Sequence, residues 1–373
     1  MTISATPIPT ITPDQLLSRV ARGEHVELLD TRGADGWTIS GPGVHVTQRP
    51  SAQLLADPAA AAESLPDDVI VICNRGISAR TIAEQLRKRG NNASVLEGGM
   101  RGWIGALRAV PVETPVEGVQ ILQVQRPGRG CLSYVVASGG SALVVDPAPD
   151  PATYLELAAR LGVTITDVVD THIHADHLSG ARALADQAGA TLRLPEAALA
   201  RGLAYADRIT PLRDGDQIQV GEQSLRVVSL PGHTTDMTGL VVGEQVLIGG
   251  DSLFADGIAR PDLQEGDPEG SRAMAATLYA TLHEKVLSLG DDAILLPGHA
   301  HPGILTDAVA PTLGQVRAKV PELALGSAAE FAEALVAGMP PRPANYQAII
   351  AVNSGDAPLD LDLESGGNSC SAS

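Results

Sequence analysis

Short apolar runs recur along the chain, and each ends on a polar or turn residue. "HVELLD" closes at Asp30, "DVIVIC" at Cys73 and "SVLEGG" at Gly99, with helix-period segments between them. Strands that alternate with helices predict a parallel sheet from about Pro13 to Arg108. In "ISARTIAEQLRKRG", Ile82, Ala83 and Leu86 share one helical face, Arg87, Lys88 and Arg89 crowd the last turn, and Gly90 takes the C′ position. That pattern predicts a helix starting near Ser78. Further on, "VQILQVQ", "CLSYVVA" and "SALVVDP" follow one another across Gly and Pro turns, which predicts antiparallel sheet, with helices such as "ATYLELAARLG" after it. The prolines of "VPVETPVEGV" interrupt the pattern. The expected division is a first domain over residues 1–112, a linker over 113–118, a second domain over 119–353 and a tail over 354–373. The tail is small, polar and acidic and is expected to be disordered, with Cys370 idle.

At 373 residues the chain accommodates two full cores, and 44% hydrophobic against 19% charged residues fits soluble globular protein. A net charge of −18 excludes nucleic acid as a partner, since phosphate binding needs clustered Lys and Arg. The three cysteines are scattered, and "MTISATPIPTITPDQ" has neither a basic nor an apolar leader region. The expected location is therefore the cytoplasm. No apolar stretch is long enough to suggest a membrane span. Oligomeric state is open, a homo-oligomer included.

Two stretches carry chemistry. In the first, a β-branched strand delivers Cys73 to a short loop ahead of a helix. Free N–H groups and the helix dipole at that point favour a thiolate and can hold an anion. A lone cysteine at a strand end also reads as a small buried hydrophobe, but the loop and helix favour the reactive thiol. A phosphatase loop of the form Cys-x5-Arg is excluded, because Ala79 stands where the arginine is needed and Arg80 is one place too far.

Over residues 10 to 108 this half resembles the rhodanese family. The resemblance rests on "LLDTR" with Asp30 and Arg32, "CNRGIS", and "VLEGGMRGW" ending at Trp103; "GPGVHV" departs from the family's Gly-His-Ile segment. It implies a sulfurtransferase in which Cys73 carries a persulfide inside the loop Asn74, Arg75, Gly76, Ile77 and Ser78, with sulfite or thiosulfate as partner.

The second stretch is "THIHADHLSG". Four segments share one form, an apolar strand running into a ligand-type residue: "DVVDTHIHADH", "LRVVSLPGH" to His233, "EQVLIGGD" to Asp251 and "DAILLPGH" to His299. Side chains from strand ends converge where loops vary over a rigid sheet. His172 and His174 alternate by two while Asp176 and His177 come from the following turn, so a metal site is expected. Cys131 is expected to be core packing. Asp146 reads equally as a turn carboxylate or as a hydrogen-bonding neighbour of the metal.

From about residue 119 to 350 the chain resembles the metallo-β-lactamase superfamily, which implies an αβ/βα sandwich with metal between its sheets. In the glyoxalase II branch, His172, His174, Asp176, His177, His233, Asp251 and His299 would all hold two zinc ions. In the persulfide dioxygenase branch His172, His233 and Asp251 would hold one Fe(II), with His174, Asp176, His177 and His299 around it. "GDSLFADGIARPDLQ", "LYATLHEKVLSL", "LPGHAHPG" and "PPRPANYQAII" resemble the dioxygenase branch, with Arg260 and Asp262 as substrate-side candidates.

Two imidazoles and one carboxylate on one face of iron suit non-haem oxygenase chemistry. The implied activity is iron-dependent oxidation of a low-molecular-weight thiol persulfide by O2 to sulfite and thiol. It would be coupled to sulfane-sulfur transfer through Cys73. The alternative is a zinc-dependent thioester hydrolase of the glyoxalase II type with a rhodanese appendage. "RAKVPELAL" lacks the Asn-Pro-basic feature of glutathione-using members, so the resemblance does not fix the thiol.

Overall fold

A computed structural model describes residues 7–33, 38–264 and 267–364. Cys370 and the end of the expected disordered tail lie outside the described residues.

The first domain is a five-stranded parallel sheet in the order Thr10–Ile11, Asn92–Leu96, Asp68–Ile72, Val26–Asp30, Val44–Gln48. The strand Asp68–Ile72 is buried at every position after the first, as expected for a sheet covered on both faces. One face packs Leu16, Val20, Met100 and Trp103, and the other packs Leu54, Ile82, Ala83 and Leu86 from the helices on that side. The helix after Cys73 spans Ile77–Arg87, one residue earlier than its sequence start signal.

The second domain is two sheets face to face. The larger runs Thr210–Leu212, Thr191–Pro195, Thr164–Val169, Ser141–Val145, Cys131–Ser138, Gln120–Arg126, Arg108–Val112; the first four are mutually parallel and the rest antiparallel. The smaller runs Gln217–Val220, Gln223–Ser229, Thr238–Val242, Val246–Gly250, Ile294–Pro297. Val136, Leu143 and Val145 from one sheet meet Val227, Leu240 and Ile248 from the other in the central layer. Each such buried aliphatic side chain contributes roughly 1.5–3 kcal/mol. Helices cover the outer faces: Pro151–Leu161 and Ala181–Ala188 on one side, Pro268–Thr281, Leu313–Lys319 and Ala328–Ala337 on the other. The architecture is the expected αβ/βα sandwich behind a rhodanese-like parallel-sheet domain.

Two expected boundaries move. Arg108–Val112, expected inside the first domain, pairs antiparallel with Gln120–Arg126 and ends the larger sheet. Val110 and Val112 face inward while Pro111 is exposed, which an edge strand tolerates because it leaves one row of ladder donors unused. The tail is ordered further than its composition suggests. Leu361–Glu364 forms a helical turn, and Glu364 is fully buried against Arg126, with bonds of 2.8 and 2.6 Å. Composition registers how polar a segment is but not that one of its carboxylates has a buried guanidinium to meet. Among the described residues no helix is long and apolar enough to cross a membrane.

Candidate metal centre and sulfur-carrying loop

The strand Thr164–Val169 ends in a loop that carries His172, His174, Asp176 and His177, all buried. Asp146, at the end of the neighbouring strand Ser141–Val145, organises that loop. Its Oδ1 accepts from the Thr171 N–H at 2.7 Å and faces His174 Nε2 at 3.1 Å, and its Oδ2 accepts from the Thr171 hydroxyl at 2.9 Å. Asp146 adopts φ +49°, a left-handed conformation uncommon for a non-glycine residue and here held by those bonds. The two sequence readings of Asp146 are thus joined, since it ends a strand and orients the histidine loop.

Hydrogen bonding fixes the protons on the ring nitrogens. His233 Nδ1 lies 2.7 Å from the Arg260 carbonyl oxygen, which can only accept, so Nδ1 carries the proton and Nε2 keeps its lone pair. The Thr171 hydroxyl spends its proton on Asp146 and accepts from His172 Nδ1 at 3.0 Å, leaving His172 Nε2 bare in the same way. Burial, aided by the neighbouring imidazoles of His174 and His233, holds His172 well below the ordinary histidine range, so it stays neutral.

Asp251 stands just past the strand Val246–Gly250, and its Oδ1 is 2.8 Å from His299 Nδ1. His172 Nε2, His233 Nε2 and Asp251 Oδ2 are buried and have no hydrogen-bond partner, and one donor atom from each lies within 4.8 Å of the others. A buried polar atom left without a partner costs about 1–3 kcal/mol. Three aimed at one point fit a cation, and two neutral imidazoles with one carboxylate suit Fe(II) or Zn(II).

Asp176, His177 and His299 are drawn together but bond to one another. His299 Nε2 and His177 Nδ1 approach Asp176 Oδ2 at 2.8 and 2.9 Å. Burial opposes charge on Asp176, yet these imidazoles outweigh it and hold the carboxyl well below its usual range. Likewise burial opposes charge on His174, and the Asp146 and Asp170 carboxylates override it, raising His174 well above the usual range.

Sequence reasoning missed Cys131. It starts the strand Cys131–Ser138, forms a bridge with His299, and offers its sulfur within 4.8 Å of donor atoms of Asp176, His177 and His299. Although burial pushes the thiol up, His177 and His299 bring it down to about 6. Its surroundings are therefore polar rather than core packing. No local signal marks it, because the bridge joins residues far apart in the chain.

The loop is clamped from the far end of the chain. Asn353 Nδ2 donates to the carbonyls of His174 and His177 at 2.9 and 2.8 Å, and its Oδ1 accepts from the Ser179 N–H at 3.0 Å. Glu364 accepts from the Leu178 N–H at 2.8 Å, and Arg129 bridges the carbonyls of Glu364 and Asp176. Asp236 and Arg201 form a buried ion pair that also holds the Ile173 backbone.

The expected substrate-side pair has a different placement. Arg260 is fully buried, bonded to Asp262 at 2.7 and 3.0 Å and to the Pro340 and Pro341 carbonyls, while Asp262 also binds Arg342. The guanidinium's fork is thus engaged in tying chain segments together. Its contribution to the centre is the backbone carbonyl that sets the His233 tautomer.

Cys73 emerges from the strand Asp68–Ile72 beneath the helix Ile77–Arg87. Gly76 caps the helix at φ +75°, a conformation glycine adopts without strain. Burial works to raise the thiol, but the Ser78 side chain and the N–H groups of Ala79, Arg75 and Gly76 outweigh it and lower its pKa. The Ala79 N–H lies 3.4 Å from Sγ. Gly99 packs so closely under this loop that a Cβ there would collide with the Cys73 carbonyl oxygen. The cradle suits a thiolate or a terminal persulfide anion.

Comparison with known proteins agrees with both halves. Residues 126–299 match the metallo-beta-lactamase superfamily and residues 12–106 the rhodanese-like domain. The chain is 28% identical over 241 residues to the mitochondrial persulfide dioxygenase ETHE1 of Bos taurus, covering 63% of this chain and 87% of that protein. It is 33% identical over 235 residues to a hydroxyacylglutathione hydrolase of Anaeromyxobacter dehalogenans, covering 62% and 84% respectively. The crystal structure of ETHE1 from Myxococcus xanthus superposes with a TM-score of 0.54 at 26% identity, over 63% of this chain and 98% of that one.

Proposed function

The chain belongs to the metallo-β-lactamase superfamily and carries a rhodanese-like domain ahead of that fold, and on this footing we propose that it is a persulfide dioxygenase with a sulfur-carrying cysteine. The reaction is RSSH + O2 + H2O → RSH + H2SO3, with R a low-molecular-weight thiol carrier. The supporting observation is that His172 Nε2, His233 Nε2 and Asp251 Oδ2 are buried without hydrogen-bond partners and lie within 4.8 Å of one another; His172, His174 and Asp176 form a second, overlapping group of the same kind.

His172, His233 and Asp251 would hold one Fe(II) per chain, and the iron when bound supplies the redox chemistry between O2 and a soft sulfur. Around it the chain's own groups do the rest. Asp146 and Thr171 orient His172, and the Arg260 carbonyl orients His233. His174, kept cationic by Asp146 and Asp170, and the Asp176–His177–His299 group hold protons next to the reacting sulfur. In the first domain the Cys73 thiolate takes a sulfane sulfur, from which released sulfite yields thiosulfate: Cys73–S–S⁻ + SO3²⁻ → Cys73–S⁻ + S2O3²⁻.

A second reading, a two-zinc thioester hydrolase, draws support from the 33% identity to a hydroxyacylglutathione hydrolase and from the presence of all seven family ligand positions. Metal analysis separates the two. About one iron per chain, O2 uptake with glutathione persulfide, and loss of both in His233→Ala are expected; two zinc ions per chain with thioester hydrolysis and no O2 uptake would replace the oxidative reading with the hydrolytic one. Loss of one metal-bound imidazole is expected to lower turnover by at least about 100-fold.

A further inference from the structure

The turn Leu361–Glu364 touches both of the loops that carry chemistry. Its Asp362 pairs with Arg75 at 3.4 Å and with Arg101 at 3.3 Å. Arg75 belongs to the loop after Cys73, and Arg101 is tied to that loop by its N–H, which donates to the Asn74 carbonyl at 3.0 Å. Two residues on, Glu364 accepts from the N–H of Leu178, the residue after His177, at 2.8 Å. The Glu364 carbonyl accepts from Arg129, which also donates to the Asp176 carbonyl. Leu363 alone separates a carboxylate held at the sulfur-carrying loop from one held at the histidine loop, and the two loops belong to different domains.

The two grips differ in strength. Arg126 and Glu364 are buried together, and loss of either would strand a buried charge. Asn345 adds a bond from the second domain to the Leu363 carbonyl. Arg75, Arg101 and Asp362 are instead about half exposed, and pairs of that kind are weak and screened by solvent. On that side the turn borders a cavity of about 690 Å³ in the cleft between the domains, lined by Met100 from the first and by Ala148 and Pro149 from the second. Leu359 and Leu361 at its rim stay 56% and 44% exposed. A segment with so few buried contacts opens locally at small cost. The turn is thus firmly rooted in the second domain and loosely docked on the first.

Cys73 and Arg75 line one cavity of about 520 Å³, so an oxyanion in front of the sulfur meets the same guanidinium that Asp362 holds. We propose that the turn Leu361–Glu364 couples the two loops. An oxyanion at the mouth of Cys73 draws Arg75 away from Asp362, the turn passes from its docked to a released position, and the hold of Glu364 on Leu178 loosens. By reciprocity, whatever tightens the histidine loop favours Asp362 on its arginines. Such coupling goes beyond the activity proposed above, which serves only to name the two loops as sites.

Hydrogen exchange read by mass spectrometry on the full chain tests this without turnover. A fold-change in exchange rate there reports a fold-change in the locally open population. Asp362→Ala, which removes a side chain bonded only on the first-domain side, should raise exchange over residues 171–180 about two- to fivefold, the range for half-exposed charge pairs. Arg101→Ala should raise it less, and the double variant no further than Asp362→Ala alone. Glu333→Ala, which breaks the exposed pair with Arg272, should leave that segment unchanged. Sulfate, an unreactive oxyanion, should act on the wild type as Asp362→Ala does, relative to chloride at equal ionic strength, and should add nothing in Asp362→Ala. Exchange over 171–180 unmoved by Asp362→Ala, or raised as much by Glu333→Ala, overturns the coupling. Sulfate and chloride acting alike on the wild type overturns the oxyanion as its trigger, and the proposal with it. Absence of O2 uptake in the same preparation would instead remove the dioxygenase reading and leave the coupling standing.

Discussion

The tautomers of His172 and His233 depend on single atoms, the Thr171 hydroxyl and the Arg260 carbonyl, and these two candidate metal ligands inherit their aim from them. Gly298 is as constrained. A Cβ there would overlap Asp251 Oδ1, with backbone at 3.0 Å behind it. Gly298→Ala is therefore expected to push Asp251 off its position and lower bound iron per folded chain, measured by metal analysis beside an unchanged far-ultraviolet circular dichroism spectrum. Iron retained at the wild-type level would show that Asp251 can shift without loss of the site. The candidate ligands were legible because "HIHADH" and the strand-end residues His233, Asp251 and His299 are ligand types in a recurring context. Cys131 and Asn353 were not, since each acts through a contact more than a hundred residues away and sits in an ordinary apolar or polar local pattern.

At the level of elements, the loop after Thr164–Val169 has little regular structure and depends on what is packed against it. Asn353, on the helix Tyr346–Ser354, satisfies two of its carbonyls and one N–H. Asn353→Ala leaves those buried groups unpaired and is expected to destabilise the protein by about 2–3 kcal/mol, read as a lower midpoint in urea unfolding. The turn Leu361–Glu364 makes stability depend on pH. Burial works to raise the Glu364 carboxyl, but Arg126 outweighs it and lowers it below the ordinary value of 4.5. A carboxylate whose folded pKa is depressed contributes fully above 4.5, and that contribution is lost as pH falls below 4.5 through the folded pKa. The melting temperature of the wild type should thus fall more steeply than that of Glu364→Gln between about pH 5 and 3; parallel curves would remove the ion pair as the cause. Alternating apolar runs made the strands readable in sequence. The tail turn was not, because its reason for order is a guanidinium on a strand of the second domain.

For the whole molecule, the two chemistries sit on separate sheets, and the motifs shared with rhodanese and with the metallo-β-lactamase superfamily make that division readable in the sequence. The cleft between them is not readable there, because no single segment forms it. If the two sites act in series, Cys73→Ser should abolish thiosulfate formation from sulfite while O2 uptake with added glutathione persulfide continues. An oxygen electrode and a thiosulfate assay on one preparation check this. Loss of O2 uptake in that variant would mean that iron chemistry runs through the first domain.

The clamp on the histidine loop also bears on how the protein is made. A ribosome extrudes His172 through His177 long before Asn353 and Glu364, so the nascent loop lacks its tethers while most of the later sequence is still being translated. Tethering of the histidine loop is then a late event of biosynthesis, and a protease that trims the polypeptide just ahead of residue 353 would remove contacts to a loop that it never touches.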